Sequence, residues 1–341
     1  MAGLLLGILS GIMNGSFSLP MKKTTRWSWE ATWLVWSVCA LLVIPWLIAI
    51  TTVPDVLGIF ANVPTRDIIL VFTFGLLWGL GAVFFGQSIA MIGISLAFAI
   101  CIGLAMALGA LIPMLKDPAV FLTAAGIWTT IGISVMILGV AIFAIAGHVK
   151  DKQALSNDTA ARSNTRSASR MLLGLTLATF GGIFSSALNL AFNFSETIKQ
   201  AALAAGASIN SAADPVWALT LLGGLTTNVI YCAVLLTRNH TWNDYRKTNT
   251  VSHWFLAAMM GIIWMSSIAI YGRAAVMMGD LGSSAGWGLY MGMVIVMSNV
   301  WGFITGEWRN AHAKPIRLMI VGLILMLLAI ALIGYATTIQ V

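Results

Sequence analysis

Side-chain amides inside long apolar stretches are the residues of this sequence best suited to binding chemistry. Four asparagines lie in such stretches: Asn14, Asn189, Asn193 and Asn228. An amide offers both donors and acceptors, so it can bond the hydroxyl groups of a polar solute such as a sugar. A polar side chain inside an apolar helix bundle costs free energy unless it is paired. Each amide is therefore predicted either to line a solute site or to clamp neighbouring helices, and the sequence leaves both roles open.

Aromatic rings would complete such a site, because they stack on the C–H face of a sugar ring. Trp78 and Trp264 lie near the middle of their apolar runs, away from the headgroup region where Trp usually lies. We predict that they face each other across the solute, with plain packing as the alternative. Tyr271 and Tyr290 are weaker candidates of the same kind. Other tryptophans lie near the ends of runs and are predicted to anchor the chain at the membrane interface: Trp27, Trp29, Trp33, Trp46 and Trp308.

Two polar positions stand out toward the ends of apolar runs, Gln87 and Arg273. A charge inside a membrane-spanning segment is a functional candidate by default. Arg273 is therefore predicted to serve gating or proton coupling, with Asp280 on the same face if the helix continues. The alternative is a side chain that extends to the outer interface. Gln87 is predicted to contact the solute.

Carboxylates are scarce within the apolar runs, and none lies in the middle of one. Glu30 and Glu307 lie at run ends, close in sequence to three basic residues: Lys22, Lys23 and Arg309. They are predicted to form an inner gate of ion pairs, or simple salt bridges at the interface. The sequence alone identifies no proton acceptor.

Motifs of catalysis are missing from the sequence, which has no Walker loop, GxSxG or HExxH. The four histidines show no metal-ligand spacing. Cys39, Cys101 and Cys232 each lie in an apolar run without CxxC spacing, so they are predicted to be small core residues rather than a disulfide or metal site. No enzymatic activity, cofactor or metal is predicted.

The composition predicts an all-α membrane protein. Of 341 residues, 59% are hydrophobic and 9% are charged, whereas a soluble domain has about 25% charged residues. A membrane-spanning helix needs about 20 apolar residues. Ten runs meet this length and are numbered here as spans 1 to 10: 2–21, 31–52, 68–92, 94–115, 119–146, 171–194, 215–237, 252–278, 284–304 and 316–338. The net charge of +7 resides mainly in the connections between runs, which indicates topology rather than nucleic-acid binding.

The positions of Lys and Arg predict the orientation. The connections after spans 1, 3, 5, 7 and 9, counted with Arg317 at the edge of span 10, carry 14 of the 18 basic residues. By the positive-inside rule these connections are cytoplasmic and both termini lie outside a bacterial inner membrane. Span 1 has no basic region before it, so it is predicted to be a permanent span rather than a signal peptide. The polar stretch 148–170 is predicted to be a flexible cytoplasmic linker between the halves 1–147 and 171–341.

The two halves show an internal repeat. Residues 7–10 and Asn14 of span 1 align with residues 182–185 and Asn189 of span 6. Span 3 aligns with span 8 at an offset of 186 residues, which pairs Trp78 with Trp264 and Gln87 with Arg273. Since each half has an odd number of spans, the second half enters the membrane from the opposite side. Two inverted five-helix repeats around a shared site are typical of secondary transporters.

Several motifs distributed along the chain carry a family resemblance. They are Pro20-Met21-Lys22-Lys23, Trp27-Ser28-Trp29-Glu30, Gly182-Ile183-Phe184-Ser185 with Asn193, Gly223-Gly224 with Asn228, and Gly306-Glu307-Trp308 with Asn310, Ala311 and Pro315. With them the chain resembles the L-rhamnose–proton symporter family of the drug/metabolite transporter superfamily. The resemblance implies a ten-helix fold and proton-coupled uptake of a 6-deoxyhexose. One departure is the stretch 81–86, which is apolar here where the enterobacterial pattern has Asn and Tyr.

The predicted function is proton-coupled uptake of L-rhamnose or a related small sugar by alternating access. The predicted partners are the sugar, the proton and membrane lipid, with no nucleic acid. One alternative is an exporter or exchanger of another small metabolite on the same fold, and another is a non-transporting membrane sensor. An open channel would show a polar stripe through the bilayer, whereas the polar residues here cluster near mid-depth. This clustering favours alternating access.

Overall fold

The computed structural model describes residues 2–156, 168–309 and 311–339, and within these ranges it contains helices and no strand. Ten of the described helical segments are long and apolar enough to cross a membrane, which confirms the predicted number of spans. In chain order they are Ala2–Lys23, Trp29–Thr52, Thr65–Ile92, Ile94–Met114, Ala124–Lys150, Ser169–Ala204, Asp214–Arg238, Val251–Met277, Gly279–Ile304 and Ala313–Thr338. The end that carries the predicted cytoplasmic connections is called inner, and the opposite end outer.

Three spans are interrupted helices. Span 1 is an α-helix over Ala2–Ser16 followed by a 3₁₀ turn at Leu19–Lys23. Span 2 contains a π-helical turn at Cys39–Val43 directly before Pro45, whose missing N–H and ring disturb regular α-helix pairing. Span 6 is split into the helices Ala168–Ser185, Ala187–Asn193 and Glu196–Ala204.

The remaining helices are more regular. The α-helices are Val56–Asn62, Thr65–Ile92, Ile94–Met114, Ala124–Ser156, Asp214–Arg238, Val251–Met277, Gly282–Ile304 and Ala313–Thr338, with 3₁₀ turns at Pro118–Leu122, Trp242–Arg246 and Gly279–Leu281. Span 5 starts later than residue 119 because Asp117 caps a 3₁₀ turn there, accepting a bond from the N–H of Ala119. The predicted linker 148–170 is helical at both described ends, because its Ala, Lys and Gln residues favour helix. Residues 157–167 lie outside the described part.

The contacts between spans come in pairs that correspond between the two halves of the chain. Span 3 packs along span 6, and span 8 packs along span 1. Span 4 contacts spans 5 and 6, while span 9 contacts spans 10 and 1. Spans 5 and 10 pair with each other, as do spans 4 and 9. These are the neighbours that two copies related by an in-plane axis would make when each span is exchanged for the one five positions away. The axis itself stays a prediction.

Glycines set the spacing of two helix pairs. At Gly11 of span 1, an added Cβ would lie 2.4 Å from the Cβ of Met293 on span 9. At Gly75 of span 3, an added Cβ would lie 1.8 Å from the carbonyl oxygen of Thr220 on span 7. Helices at such distances tolerate no larger residue at the contact. The outer halves of spans 3 and 7 are therefore tightly joined.

The two largest clusters of buried side chains in the described part of the chain are a large core and a smaller outer cap. The large core contains residues of spans 8 and 9 together with those of spans 2, 4, 5 and 10. The cap joins the short helix Val56–Asn62 to the helix Glu196–Ala204 at the outer end. All three cysteines are free thiols, with Cys101 and Cys232 buried and Cys39 half-buried.

Candidate functional site

A cavity of about 490 Å³ opens between spans 2, 3 and 7 in their inner halves. We call it the inner cavity, and its lining residues are Trp29, Trp33, Ala82, Val83, Phe85, Gly86, Ile89, Asn228, Tyr231 and Leu235. It forms on the inner side of the close contact at Gly75, where spans 3 and 7 separate. Its volume lies within the range of about 300–1,000 Å³ that small-molecule sites occupy.

One wall of the inner cavity is aromatic and polar. The rings of Trp29 and Trp33 are stacked, with centroids 5.0 Å apart and planes inclined by 18°. Nε1 of Trp33 donates to Oδ1 of Asn228 at 3.0 Å, and Nδ2 of Asn228 donates to the carbonyl of Gly224 at 2.9 Å. Tyr231 meets Trp29 edge-on at 6.4 Å. This wall presents the stacking surface and the amide that a sugar ring needs.

The opposite wall, on span 3, is apolar and has free space beside Gly86. Ala82, Val83, Gly86 and Ile89 line it, and an added Cβ at Gly86 would meet no atom within 4 Å. The apolar stretch 81–86 noted in the sequence is therefore part of the cavity wall. The inner cavity thus pairs a face suited to ring stacking and hydroxyl groups with a face suited to an apolar group.

Sequence reasoning missed the two tryptophans and the tyrosine of the lining. Trp29 and Trp33 lie near a run end, where interfacial anchoring is the usual role, and no sequence pattern marked Tyr231. A signal was nevertheless present for the tryptophans. Trp29, Trp33 and Trp36 follow each other at spacings of four and three residues, which places them on one helical face. A stripe of this kind indicates a surface that faces the bundle interior rather than an interfacial belt alone.

The predicted pair Trp78 and Trp264 lies deeper than the inner cavity. Their rings contact each other directly, with centroids 5.5 Å apart and planes inclined by 31°. Trp36 joins them, 5.5 Å from Trp264 and 4.2 Å from Trp33. A continuous series of tryptophan rings therefore runs from the inner cavity toward mid-membrane. In this conformation no solute fits between Trp78 and Trp264, and their role in binding stays a prediction.

The repeat-related amides Asn14 and Asn189 are both buried and bonded to protein. Nδ2 of Asn14 donates to the hydroxyl of Ser267 at 2.9 Å and to the hydroxyl of Tyr290. Nδ2 of Asn189 donates at 2.7 Å to the carbonyls of Gly109 and Ser283, and its Oδ1 accepts from Tyr271.

These bonds show that both amides connect several spans. Asn14 joins span 1 to spans 8 and 9, whereas Asn189 joins span 6 to spans 4, 8 and 9. In this conformation the clamping role described from the sequence accounts for every polar atom of Asn189. Tyr271 is fully buried against the rings of Trp217, Trp287 and Tyr290, so it too lies away from the inner cavity.

Asn193 and Gln87 lie outside the inner cavity. Nδ2 of Asn193 donates to the hydroxyl of Ser283 at 2.8 Å, and its backbone carbonyl accepts from Lys116 at 2.6 Å. Burial, and then the charge of Lys199, lower the pKa of Lys116, while Glu196 acts against this shift. Gln87 is exposed on span 3. Of the four predicted amides, Asn228 is the one that lines the inner cavity.

The two predicted inner-gate carboxylates have different partners. Glu307 forms an ion pair with Lys22 at 2.9 Å, and both side chains are about half exposed. Glu30 is buried and accepts from Nδ2 of Asn239 at 2.9 Å and from the hydroxyl of Thr241 at 2.8 Å. The Glu307 pair links span 1 to the end of span 9, whereas Glu30 links span 2 to the end of span 7. Gating by either carboxylate stays a prediction.

Arg273 pairs with a carboxylate that lies one residue before the predicted apolar run of span 7. Its Nη2 lies 3.6 Å from Oδ2 of Asp214, the first residue of span 7. Asp280, suggested as a partner by helical spacing, lies in a separate 3₁₀ turn after span 8 ends. Asp214 is only 2% exposed. It escaped sequence reasoning because it precedes the first apolar residues of its run.

The inner connections are fixed to each other around Asp244. Its carboxylate accepts from the N–H of Ser28 at 2.6 Å and pairs with Lys247 at 2.7 Å. Burial raises the pKa of Asp244, but the bonds from Lys247 and Ser28 outweigh burial and hold the pKa below its ordinary value. Tyr245 donates to the carbonyl of Ala31 at 3.0 Å, and burial raises the pKa of this phenol. The connection before span 2 is thereby attached to the connection between spans 7 and 8.

Residues 1–338 match the family model of the L-rhamnose-proton symport protein. The chain belongs to this family. The L-rhamnose-proton symporter of Klebsiella pneumoniae subsp. pneumoniae is 26% identical over 340 residues, which cover 97% of this chain and 96% of the relative. The symporter of that name from Cronobacter sakazakii has the same identity and coverage. The one from Salmonella gallinarum is 25% identical over 344 residues, 98% of each chain.

Membership of the L-rhamnose-proton symport family confirms the resemblance seen in the sequence motifs. The matched region contains all ten described spans and both walls of the inner cavity. The chain is therefore a multi-pass membrane protein of a transporter family.

Proposed function

We propose that this protein takes up L-rhamnose, or a closely related small sugar, together with protons by alternating access. The observation that carries the proposal is the family match over residues 1–338. The relatives named L-rhamnose-proton symporters match this chain over 96% or more of their own length. The paired packing of spans supports alternating access, because two similar halves can exchange inward-open and outward-open shapes around one site.

The inner cavity is the proposed path and contact surface of the sugar. The Trp29 and Trp33 rings would stack on the C–H face of the pyranose, while Asn228 and Tyr231 would bond its hydroxyls. The Ala82, Val83 and Gly86 surface would receive the methyl group that distinguishes a 6-deoxyhexose from a hexose. A hydroxyl on that carbon would lie against apolar atoms and lose its bonds to water.

Proteoliposomes test the activity directly. With a pH gradient that is acidic outside, labelled L-rhamnose should accumulate above its external concentration, and a protonophore should abolish the accumulation. L-mannose, which carries a hydroxyl where L-rhamnose has its methyl hydrogen, should compete more weakly. Accumulation driven by a sodium gradient alone, or preference for an unrelated metabolite in a panel of solutes, would refute the proposal.

Substitution of Trp33 tests the aromatic wall. Trp33→Ala should raise the half-saturation concentration for uptake about tenfold, because it removes the stacking surface and the donor to Asn228. Trp33→Phe keeps a ring and should raise this concentration about fivefold. Trp46→Phe, at the outer end of span 2, is the matched control and should leave uptake unchanged. Wild-type uptake kinetics in Trp33→Ala would exclude this wall as the sugar contact.

The orientation in the membrane is part of the proposal. A bacterial inner-membrane location with both termini outside follows from the positive-inside rule. Single cysteines at Phe60, in the helix Val56–Asn62, and at Asp158, in the predicted linker, provide the test. A membrane-impermeant maleimide should label position 60 from outside whole cells and position 158 only after permeabilisation. The reverse pattern would invert the topology.

A further inference from the structure

Spans 2 and 7 begin with the same short pattern at opposite ends of the molecule. Glu30 is the second residue of span 2 and has Trp33 three residues later, while Asp214 is the first residue of span 7 and has Trp217 three residues later. The offset of 184 residues fits the repeat, whose other offsets are 175 for spans 1 and 6 and 186 for spans 3 and 8. Glu30 and Asp214 are therefore equivalent positions of the two halves.

Both carboxylates are withdrawn from solvent. Glu30 is 6% exposed at the inner end and Asp214 is 2% exposed at the outer end. A buried carboxylate is costly unless polar groups compensate its charge. The groups that bond to each carboxylate therefore identify the segments of the chain that it connects.

At the inner end, the carboxylate of Glu30 in the first turn of span 2 bonds to residues at the end of span 7. Oε1 of Glu30 accepts from Asn239 at 2.9 Å and from Thr241 at 2.8 Å. Both donors lie within three residues of Arg238, where the span 7 helix ends. We call this set the inner latch.

At the outer end, the relation is reversed. Oδ2 of Asp214, which starts span 7, accepts from the hydroxyl of Thr52 at 2.8 Å, and Thr52 is the last residue of span 2. Arg273 of span 8 adds its guanidinium at 3.6 Å from the same oxygen. We call this set the outer latch.

We propose that these two reciprocal contacts are the gates of the transporter and that they release alternately. Each latch ties the start of one span to the end of its repeat partner, one at each face of the membrane. Release of the outer latch would separate spans 2 and 7 at the outer end, and release of the inner latch would widen the inner cavity toward the cytoplasm. Both latches are closed in the structure.

A purely static role predicts something different. A carboxylate at a helix start also stabilises the helix by its interaction with the helix dipole. Loss of that interaction would destabilise the fold without favouring the inward-open or the outward-open state. The proposal rests on alternating access, so the test must report which face is open without depending on sugar. Two buried positions provide such reporters: Cys232, which is 0% exposed on span 7 two turns before Asn239, and Ala269, which is 3% exposed on span 8 one turn before Arg273.

The test measures maleimide reactivity of one cysteine at a time in purified membranes of known sidedness. The inner reporter keeps Cys232 with Cys39→Ala and Cys101→Ala, and the outer reporter is Ala269→Cys in a background with all three native cysteines replaced. Asp214→Asn should raise the labelling rate at position 269 from the outer face about tenfold and lower it at Cys232. Glu30→Gln should do the opposite. A tenfold change is what loss of one charge-assisted hydrogen bond would produce.

Milder variants and a control keep the result interpretable. Thr52→Val leaves Asp214 in place but removes its hydroxyl donor, so it should change labelling in the same direction as Asp214→Asn by a smaller factor. Asp280→Asn removes an exposed outer carboxylate and should change neither reporter. Equal changes at both reporters, or none in any latch variant, would overturn the proposal. Because labelling needs no sugar, an alternating response without rhamnose uptake would instead refute the proposed substrate.

Discussion

Gly86→Trp should abolish uptake while leaving the protein folded. An added Cβ at Gly86 would meet no atom within 4 Å, so a side chain there extends into free space rather than into a helix contact. An indole would fill a large part of the 490 Å³ inner cavity and exclude a pyranose. We expect proteoliposome uptake to fall at least about a hundredfold, since the loss is steric and complete occlusion removes the site. The apparent melting temperature in detergent should stay near that of the wild type.

Two variants show whether the loss comes from occlusion. Gly86→Ala adds a single methyl group and should keep most of the uptake, and it should not destabilise the helix, because Ala is the better helix former. Ala90→Trp places the same bulk one turn along span 3, at an exposed position outside the cavity lining, and should transport normally. Uptake by Gly86→Trp at the wild-type rate would mean that the sugar does not pass through the inner cavity.

Asn189→Ala should lower stability more than any other single amide substitution in the bundle. It removes bonds to the carbonyls of Gly109 and Ser283 and leaves the hydroxyl of Tyr271 without its acceptor. Each buried group left unpaired costs about 1–3 kcal/mol, although hydrogen bonds between membrane helices average about 0.6 kcal/mol in double-mutant cycles. We expect a total loss of about 2–4 kcal/mol, visible as a lower apparent melting temperature.

The matched control is Asn299→Ala on span 9. The amide of Asn299 donates to the carbonyl of Ile295 in its own helix, so its loss should lower stability by less than about 1 kcal/mol. Asn189→Ala with wild-type thermal stability but impaired sugar affinity would contradict the clamping role and return Asn189 to the list of sugar contacts.

The outcome for the four amides shows where sequence reasoning reaches its limit. All four occupy the same kind of position, an isolated polar residue in an apolar run, and the sequence gives each the same two roles. The polar atoms of Asn189 and of Asn228 all have protein partners, but only Asn228 of the two lines the inner cavity. Most of these partners belong to other spans, so no local pattern distinguishes an amide buried between helices from one beside a cavity.

The tryptophans illustrate the same limit at the membrane interface. Nearness to a run end favours anchoring for both Trp29 and Trp308, yet of these two residues only Trp29 lines the inner cavity. Trp308 instead packs against Phe303 and receives the Lys150 ammonium over its ring. Depth along a span follows from sequence position, whereas the direction in which a ring points depends on which neighbour the helix packs against.

The sequence by itself determined the number of spans, their approximate bounds and the family, because hydrophobic length and motif spacing are properties of short stretches of chain. Only the tertiary structure decided that spans 3 and 7 close at Gly75 and part at Gly86, and that Asp214 meets Thr52 across 162 residues. The physical reason is that transfer of a helix into lipid depends on its own composition. A buried charge or amide, in contrast, is stabilised by groups that helix packing brings from elsewhere.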